Sequence, residues 1–376
     1  MRFLKKLLLG LGAVFAVALL ALGLTLRYTA GCDAAPVAAA AAGGSTMQSI
    51  RYRCYGGPEV LALETVARPV PADDEVLVRV HAASLNPLDW HYLRGEPYLM
   101  RLEAGIGRPR DTRLGVDFAG TVEAVGKSVA NFRPGDAVFG AADGAFGEYV
   151  TVRESRAVVH KPANVSFAEA AAIPIAAVTA LQALRDKAAV KPGQKVLVNG
   201  GSGGVGTYAI QIAKAMGAEV TGVASTRNQA LMQSLGADHV IDYTQANFTE
   251  GSERYDVIID NVGSQPLLAL RRVLAPQGVV VMVGSTDKGA WLGPLIPPLK
   301  ALFIGPFVEQ RYEMLLATMT PADLNSLAEL LAAGKVRSAI DRRYPLAEVP
   351  AGIAYLEEGR ARGKVIVDVV AEPPPG

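Results

Sequence analysis

A glycine-rich turn between an apolar run and a helical pattern is the feature that most constrains this fold. Residues 196–198 are apolar and typical of a short buried strand, and residues 207–216 carry apolar side chains at helical spacing. The turn between them fits G-x-G-x-x-G and comprises Gly201, Ser202, Gly203, Gly204, Val205 and Gly206. Strand, glycine turn and helix in this order predict a dinucleotide-binding unit.

Each glycine of this turn has a physical role in such a unit. The first permits the tight turn, the second lets the backbone approach a pyrophosphate, and the third lets the helix pack on the strand. The start of the helix offers free N–H groups and the positive end of a dipole to the phosphates. The alternative is an ordinary tight turn, but both flanks favour a cofactor site.

The residues after the second predicted strand, 219–224, indicate which nicotinamide cofactor binds. NAD-binding folds usually place an acid here that bonds the ribose 2′-hydroxyl. No Asp or Glu lies between Val220 and Ala237, whereas Ser225 and Arg227 follow the strand directly. A hydroxyl and a guanidinium would bind a 2′-phosphate, so the sequence predicts NADPH. The alternative is that Arg227 is a solvated charge on the next helix.

The pattern changes twice along the globular part, which predicts an α/β fold of two domains. Short strands separated by Gly, Pro and Asp turns over residues 47–166 predict a small barrel or sandwich. Strands and helices alternate over residues 167–334, which predicts a doubly wound parallel sheet. Residues 335–376 return to strand and are assigned to the first domain, which is then discontinuous.

The N-terminus is apolar. Arg2, Lys5 and Lys6 precede a charge-free run over residues 7–26, long enough as a helix to span a bilayer, so residues 1–30 are predicted to be a membrane anchor. Residues 31–46 resemble a flexible linker. The charge bias favours a globular part outside the cytoplasm, whereas NADPH is a cytoplasmic cofactor. The alternative is that Arg27, after the run, helps to hold the globular part inside, so the side stays open. A start at Met47 would instead give a cytoplasmic protein.

Composition excludes several classes of protein. Lys plus Arg number 37 and Asp plus Glu number 36, so nothing indicates a nucleic-acid surface. The two cysteines, Cys32 and Cys54, are too few for a disulfide-rich scaffold or a four-cysteine zinc lobe.

Several segments together resemble the medium-chain dehydrogenase/reductase superfamily. The nearest resemblance is to its zinc-free quinone-reductase branch, which includes the zeta-crystallin-like and reticulon-4-interacting-protein-like reductases. It covers roughly residues 47–370 and implies a GroES-like barrel beside a Rossmann domain. The segments that carry it are residues 83–89, 114–120, 132–138, the glycine turn, 234–243 and 359–364.

The resemblance implies roles for further residues. Asn86 would lie between the domains and donate a hydrogen bond to the acceptor oxygen, although Asn-Pro is also a common turn pair. Asp89 would brace that loop, and Tyr92 or His91 would be further donors unless they only pack. In the cofactor site, Thr179 would lie beside the nicotinamide, and Tyr243 and Lys364 near the phosphates. The alternatives are a helix-surface threonine, a strand-end tyrosine and a solvated lysine.

The resemblance also bears on metal binding. Zinc alcohol dehydrogenases of the superfamily carry a ligating cysteine near Asn86 and a Gly-His-Glu motif near Gly115. This chain has Gly115, Val116 and Asp117 there, and Val116 cannot bind a metal. We therefore predict no zinc, which favours electrophilic acceptors such as quinones and enones. The alternatives are a zinc-free ketone or aldehyde reductase and a non-catalytic, membrane-tethered NADPH-binding protein.

Two further turns and one apolar segment complete the predictions. Asn261 and the pair Val283 and Gly284 follow strands at the sheet edge where the cofactor must lie. Residues 291–307 are apolar and rich in proline, and are predicted to be a substrate lid or a subunit contact. Relatives of this kind are commonly dimers, so a homodimer is expected.

Overall fold

The computed structural model describes residues 17–18, 20–32, 44–285, 289–291 and 309–370. The strands are β1 Thr46–Arg51, β2 Ala62–Ala67, β3 Glu75–Leu85, β4 Asp117–Val125, β5 Ala137–Ala141, β6 Tyr149–Arg153, β7 Val158–His160, β8 Lys195–Asn199, β9 Glu219–Ala224, β10 His239–Asp242, β11 Tyr255–Asp260, β12 Leu274–Met282, β13 Arg311–Met314, β14 Ile340–Pro345 and β15 Lys364–Asp368. The helices are α1 Pro87–Arg94, α2 Arg101–Ala104, α3 Phe167–Ala171, α4 Pro174–Gln182, α5 Gly204–Ala215, α6 Gln229–Ser234, α7 Leu267–Arg272, α8 Pro321–Ala332 and α9 Val349–Glu357.

The first domain is built on a sheet in which β3 is the central strand. The order is β14-β15-β3-β4-β5-β7, and β6 also pairs with β3. Alternate residues of β3, among them Val76, Val78 and Val80, are fully buried in the barrel core. The tail strand β15 runs antiparallel to β3, with Val365 opposite Leu85. This pairing brings Lys364 beside the loop that begins at Asn86.

The second domain is a parallel sheet in the order β10-β9-β8-β11-β12-β13. Its central strands β8, β11 and β12 contain continuous apolar runs that are buried, as expected for strands covered by helices on both faces. The chain leaves β8 in one direction to β9 and later returns to pair β11 on the other side of β8. Ligands in such sheets bind outside the carboxyl ends of the strands at this switch point. The predicted α/β fold of a GroES-like and a Rossmann-like domain is confirmed.

One apolar core runs through both domains. Phe139 and Ile366 of the barrel belong to the same buried cluster as Val198 and Ile259 of the parallel sheet. Helices α3 and α4 supply the alanine-rich layer between them. Pro174 opens α4, where its missing N–H costs no hydrogen bond.

The N-terminal part differs from its prediction. Residues 17–18 and 20–27 are helical, whereas residues 7–16 of the predicted anchor lie outside the described residues. Among the described helices, none combines the length and apolar character needed to cross a bilayer, so the predicted spanning helix is not supported. Most of the predicted linker, residues 33–43, and the predicted lid after Trp291 also lie outside the described residues.

Two contacts fix the end of the N-terminal helix on the barrel domain. Cys32 forms a disulfide with Cys54. The Arg101 guanidinium donates to the carbonyl oxygens of Leu26 and Tyr28, each at 3.0 Å. The last carbonyl groups of a helix have no hydrogen-bond partner within the helix. Arg101 supplies donors to these groups and so caps the C-terminal end of the helix.

Candidate active site

The glycine turn leaves the carboxyl end of β8 and leads directly into α5. Gly200 adopts a φ of +74°, a left-handed conformation that glycine accommodates without strain. The N–H groups of Gly200 and Gly201 donate to the Val223 carbonyl of β9, which ties the turn to the neighbouring strand. Gly203 is the N-cap of α5. The first N–H groups of the helix therefore open at the switch point of the sheet.

Two glycines of the turn have different surroundings. A Cβ on Gly206 would lie 2.1 Å from the Gly200 oxygen, so the close packing of turn and helix requires glycine there. A Cβ on Gly203 would meet nothing nearer than 3.5 Å, again the Gly200 oxygen. The surface at Gly203 is thus open, as the predicted approach of a pyrophosphate to the backbone requires.

Ser202 and Val205 complete the predicted turn. The Ser202 hydroxyl accepts a hydrogen bond from the Asn228 amide at 2.9 Å, and its carbonyl accepts one from the Gly363 N–H at 2.8 Å. Val205 lies in the first turn of α5 and packs against the core shared by the two domains. The turn is therefore braced from both β9 and the strand β15.

Ser225, Arg227 and Tyr243, which are predicted to hold a 2′-phosphate, lie at the carboxyl ends of β9 and β10. Ser225 caps the 3₁₀ turn Thr226–Asn228, and Arg227 in that turn is exposed. The Arg227 guanidinium donates to the Arg360 carbonyl at 2.9 Å, which holds it at this edge. Tyr243 follows β10, and its N–H donates to the Ala224 carbonyl at the end of β9. The structure thus brings Tyr243 beside the end of β9, which Ser225 and Arg227 follow.

One carboxylate also lies in this region, although the sequence gap between Val220 and Ala237 contains none. Asp242 ends β10, and its oxygens accept from the hydroxyls of Thr226 at 2.5 Å and Thr244 at 2.7 Å. These hydrogen bonds hold the pKa of Asp242 below its usual value. Asp242 therefore orders the loop next to Ser225, with its carboxylate engaged by two hydroxyls.

The turns after β11 and β12 line the next part of the same edge. The Asn261 amide donates to the Asn199 carbonyl of β8 at 2.9 Å. The N–H groups of Val283 and Gly284 both donate to the Asp260 carbonyl. A Cβ on Gly284 would lie 2.2 Å from the Asn261 oxygen, so the two turns pack backbone to backbone.

Asp260, which the sequence did not single out, organises these turns. Its Oδ1 accepts from the Asn199 amide at 2.8 Å and from the Gly263 N–H at 2.9 Å. Burial raises the pKa of Asp260, and these hydrogen bonds oppose the shift. The signal available in the sequence was only an acid at the end of an apolar strand.

Lys364 is buried rather than solvated, which rules out the alternative of a surface lysine. Its ammonium donates to Asn86 Oδ1 at 2.5 Å and to the Leu85 carbonyl at 3.3 Å, and it lies 3.5 Å from Asp117 Oδ2. The Lys364 side chain passes the start of α5, since a Cβ added to Gly204 would lie 3.3 Å from Lys364 Cδ. Lys364 therefore links the barrel to the glycine turn.

Asn86 is buried, and both of its side-chain polar atoms are engaged. Its amide nitrogen donates to Asp117 Oδ2 at 2.8 Å and to the Ser84 carbonyl at 3.3 Å, while its oxygen accepts from Lys364. The arrangement braces the loop between β3 and α1. The predicted role as a donor to the acceptor oxygen would require the amide to exchange one of these partners.

Asp117 is the centre of this network and was not predicted to be part of the site. Oδ2 accepts from Ser84 and Asn86, and Oδ1 accepts from the Ile175 N–H at 3.0 Å. Burial raises the pKa of Asp117 and lowers that of Lys364, and each charge opposes the shift of the other. The pair connects β4, β15 and the first turn of α4.

Asp89, Tyr92 and His91 lie together on α1, beside this network. Asp89 Oδ2 accepts from the Asn86 N–H at 2.7 Å, which is the bracing contact expected from its sequence position. Burial raises the pKa of Asp89 to about 7. Burial also raises the pKa of Tyr92 and lowers that of His91, whose Nδ1 lies 2.7 Å from the Glu96 carbonyl. The donor roles of Tyr92 and His91 stay predictions.

Thr179 lies on α4 and is buried, so the alternative of a helix-surface threonine is wrong. Its hydroxyl donates to the Ile175 carbonyl one turn earlier, at 2.6 Å. The same residue, Ile175, donates its N–H to Asp117. Thr179 is thereby placed on the helix turn that joins the Asp117 network to the parallel sheet.

Two buried oxygens at the cofactor edge fit a bound nucleotide. Asn228 Oδ1 and Asn261 Oδ1 have no hydrogen-bond partner in the structure, although both amide nitrogens are paired. Buried acceptors are usually satisfied, so these two lack a donor. Ribose hydroxyls and a carboxamide are donors of the required kind. In the strand order β9-β8-β11, the glycine turn after β8 lies between the turns that carry Asn228 and Asn261.

Among the residues that the structure describes, no group of three or more His, Cys, Asp or Glu side chains is close enough to hold a metal ion. The absence of zinc stays a prediction.

Comparison with known proteins identifies the wider family. Residues 72–163 match the alcohol dehydrogenase GroES-like domain, and residues 235–367 match the family described as zinc-binding dehydrogenase. The chain is 37% identical over 338 residues to the 2-methylene-furan-3-one reductase of Solanum lycopersicum, covering 86% of this chain and 79% of that one. It is 33% identical over 342 residues to the chloroplast envelope quinone oxidoreductase homolog of Arabidopsis thaliana, covering 86% and 99%. Among solved structures, the quinone oxidoreductase from Coxiella burnetii matches with a TM-score of 0.76 and 32% identity, covering 87% and 100%.

Proposed function

We propose that this chain, which belongs to the medium-chain dehydrogenase/reductase superfamily, reduces quinones or enones with NADPH and without zinc. Its relatives are named quinone oxidoreductases and an enone-type furanone reductase, and the chain is accordingly an NAD(P)H-type oxidoreductase. The specific cofactor, the acceptor and the metal independence are the proposed parts. They rest on the residues of this chain.

The open N-terminus of α5 at Gly203 carries the proposal. It combines unpaired helix N–H groups with space that no side chain fills. The unpartnered oxygens of Asn228 and Asn261 lie on the turns beside it. The bound dinucleotide would supply the hydride, and the protein would supply its binding and orientation.

The choice of NADPH rests on charge at the end of β9. Arg227 is exposed there and held by the Arg360 carbonyl, while Ser225 caps the same turn. A guanidinium and a hydroxyl bind a phosphate dianion through charge-assisted hydrogen bonds. The nearest carboxylate, Asp242, is engaged by two threonine hydroxyls and does not replace the missing ribose-binding acid.

The metal-free proposal rests on the surroundings of Asn86. The resemblance implies a ligating cysteine near Asn86 in zinc alcohol dehydrogenases, whereas this chain has an amide there, and the buried ammonium of Lys364 lies between Asn86 and Asp117. The Asn86 amide is hydrogen-bonded on both polar atoms. Without a Lewis acid, an acceptor must already be electrophilic, which favours quinones and enones over alcohols as substrates.

The protein's own contribution to such a reduction is positioning. Lys364, Asn86 and Asp117 hold the loop before α1 against the start of α5, which fixes the barrel relative to the glycine turn. The side chains that α1 presents beside this network include Tyr92, our proposed donor to the developing oxyanion. Such a donor stabilises charge that forms only in the transition state.

The experiment is a matched activity panel on the purified full chain. Benzoquinones, aliphatic enones, and simple ketones and aldehydes would each be mixed with NADPH and, separately, with NADH. We expect loss of nicotinamide absorbance with quinones or enones, and a faster loss with NADPH than with NADH. Exhaustive chelation of metal ions should leave the rate unchanged. Turnover confined to ketones and aldehydes would assign the ketone-reductase activity, and tight NADPH binding without turnover would assign a binding protein. Loss of activity on chelation, restored by zinc, would contradict the metal-free proposal.

A further inference from the structure

Large apolar side chains are exposed on one region of the described chain. In the N-terminal helix, Leu20 is 65% and Leu24 is 63% exposed. On the segment that contains α2, Leu102 is 50% and Ile106 is 45% exposed. Trp291 is 42% exposed. Single exposed apolar residues are normal, but several on segments that touch one another indicate an interaction surface.

The three segments that carry these side chains pack against one another. The Tyr98 ring meets the Trp291 ring edge-on with centroids 5.0 Å apart, and the Tyr98 N–H donates to the Ala290 carbonyl at 2.7 Å. A Cβ on Gly23 of the N-terminal helix would lie 3.3 Å from the Trp291 ring. The helix, the α2 segment and Trp291 therefore form one surface, which we call the apolar face.

The apolar face is fixed to the barrel domain. Arg101 is buried and caps the N-terminal helix, and its guanidinium also donates to the Gly95 carbonyl at 2.8 Å. The Ala30 N–H donates to the Gly107 carbonyl at 2.8 Å, and the Cys32–Cys54 disulfide closes the same junction. The helix is thus held with Leu26 buried while Leu20 and Leu24 stay exposed.

Positive charge borders the apolar face. Arg27, Arg108 and Arg110 are exposed on the same segments. The exposed acids there are Glu103 and Asp111, and Asp111 is paired with Arg113. The chain that precedes the helix adds Arg2, Lys5 and Lys6 and a charge-free run from Leu7 onward. Apolar side chains bordered by arginines complement a lipid surface with anionic headgroups. The apolar side chains can enter the acyl region, and the arginines can pair with the headgroups.

We propose that the apolar face docks on the surface of an anionic lipid bilayer, with Trp291 and the exposed residues of α2 entering the headgroup region beside the N-terminal helix. The barrel domain then lies on the membrane by a defined face rather than hanging from a tether. This inference is independent of the proposed reductase activity. The favoured occupant is a bilayer rather than a protein because the apolar run continues into the N-terminal sequence with basic residues at its far end.

The test separates contact by the face from attachment by the N-terminus alone. The full chain carries two tryptophans, Trp90 and Trp291, so Trp90→Phe leaves Trp291 as the only indole. This protein would be bound to phosphatidylcholine and phosphatidylglycerol vesicles, with and without bromine on the acyl chains. Bromine quenches only an indole that reaches the lipid. The Trp291→Phe protein, which retains Trp90, reports any quenching away from the face.

We expect Trp291 emission to fall by about half or more in brominated vesicles, as for an aromatic side chain at the interface. Leu102→Glu with Ile106→Glu should remove most of this quenching, because two charges would enter the bilayer. The matched control is Leu63→Glu with Leu268→Glu, two exposed leucines of other surfaces, and it should leave the quenching unchanged. Thermal unfolding would verify that both pairs are folded.

Three results would overturn the proposal. One is flotation of the protein with vesicles while Trp291 emission is the same in brominated and plain lipid, which would show attachment by the N-terminal sequence alone. Another is equal loss of quenching in the control pair. The third is a stable dimer that dissociates in the Leu102→Glu, Ile106→Glu protein, together with no quenching of Trp291 in any vesicle. This result would assign the apolar face to contact with a second copy of this chain.

Discussion

The ammonium of Lys364 lies 2.5 Å from Oδ1 of Asn86 and fixes the direction of the Asn86 amide. The amide nitrogen consequently faces Asp117, which it contacts at 2.8 Å. A lysine from the last strand thereby determines how a loop more than two hundred residues earlier is held. The contact joins the barrel to the start of α5. We therefore expect its loss to lower the free energy of unfolding more than it lowers activity.

Lys364→Met tests this link. It leaves the buried Asp117 carboxylate without its cation, and removing one partner of a buried pair costs about 3 kcal/mol of the free energy of unfolding. Urea unfolding would measure it. Lys364→Met combined with Asp117→Asn should recover part of the loss, and the exposed Lys335→Met should change nothing. Equal stability of Lys364→Met and wild type would show that the pair is not coupled.

The glycine turn yields a second prediction, a contrast between two positions. Gly206→Ala forces a Cβ to within 2.1 Å of the Gly200 oxygen, so it should destabilise by about 2 kcal/mol or more. Gly203→Ala has space and should cost no more than about 1 kcal/mol as an N-cap change. It should nevertheless weaken NADPH binding by about tenfold or more, because the methyl group fills the phosphate approach.

Calorimetric titration of NADPH and thermal unfolding would be measured on both variants. Unchanged NADPH affinity in Gly203→Ala would show that the cofactor does not bind at the start of α5. A fully stable Gly206→Ala would contradict the close packing of the turn on the helix.

The sequence predicted those parts of the fold that local patterns determine. The strand predicted at residues 219–224 has these bounds in the structure, and the apolar run 196–198 lies within β8, because each is a short run ended by turn residues. Strand β12, in contrast, begins at Leu274, ahead of its apolar run, since Leu274 pairs with Tyr255 across a register shift. Such pairing depends on a distant strand and leaves no local signal.

The candidate site divides in the same way. The glycine turn and the turns at Asn261 and Gly284 were predicted because a sheet edge follows from strand order. Asp117 and Asp260 were missed as site residues, since their importance comes from burial and from hydrogen bonds made across the sheet. The Cys32–Cys54 pairing was not foreseen either, because spacing alone does not show which cysteines meet in space.

Arg227→Ala tests the choice of cofactor. The loss of a charge-assisted hydrogen bond to a 2′-phosphate would cost about 2 kcal/mol, so the KM for NADPH should rise by about tenfold or more. The KM for NADH should stay within about twofold, because NADH lacks that phosphate. Steady-state kinetics with both cofactors would measure this ratio.

The matched control is Arg254→Ala. Arg254 is exposed, and its guanidinium contacts only the neighbouring Ser252 and Glu253 carbonyls among the hydrogen bonds described. Arg254→Ala should change neither the KM for NADPH nor the KM for NADH. A similar rise of both constants in Arg227→Ala would assign the arginine to general support of the loop.

Asp89 predicts a pH dependence of stability. Burial raises its pKa from 3.8 to about 7, so the folded protein holds a proton that the unfolded chain releases between these values. The contribution is fully present below pH 4 and is lost as the pH rises toward 7, with a slope no steeper than about 1.4 kcal/mol per pH unit. Asp89→Asn keeps an oxygen acceptor for the Asn86 N–H and removes the titration.

Urea unfolding of wild type and Asp89→Asn between pH 4.5 and 8 would isolate this term, since most of the titration between 3.8 and about 7 falls within this range. The difference in unfolding free energy should change in favour of Asp89→Asn as the pH rises. A difference that is constant over the range would show that Asp89 titrates in the folded protein as it does in the unfolded chain.

The Cys32–Cys54 disulfide allows a last prediction, on the compartment of the globular part. Disulfides persist in oxidising compartments and are rare in the cytosol. In cells treated with iodoacetamide before lysis, we expect both cysteines to stay unmodified until the protein is reduced. Mass spectrometry of the peptides that contain Cys32 and Cys54 would measure this. Modification of Cys54 without prior reduction would place the barrel domain in a reducing compartment, where Arg101 and the hydrogen bond from Ala30 to Gly107 would hold the end of the N-terminal helix without the disulfide.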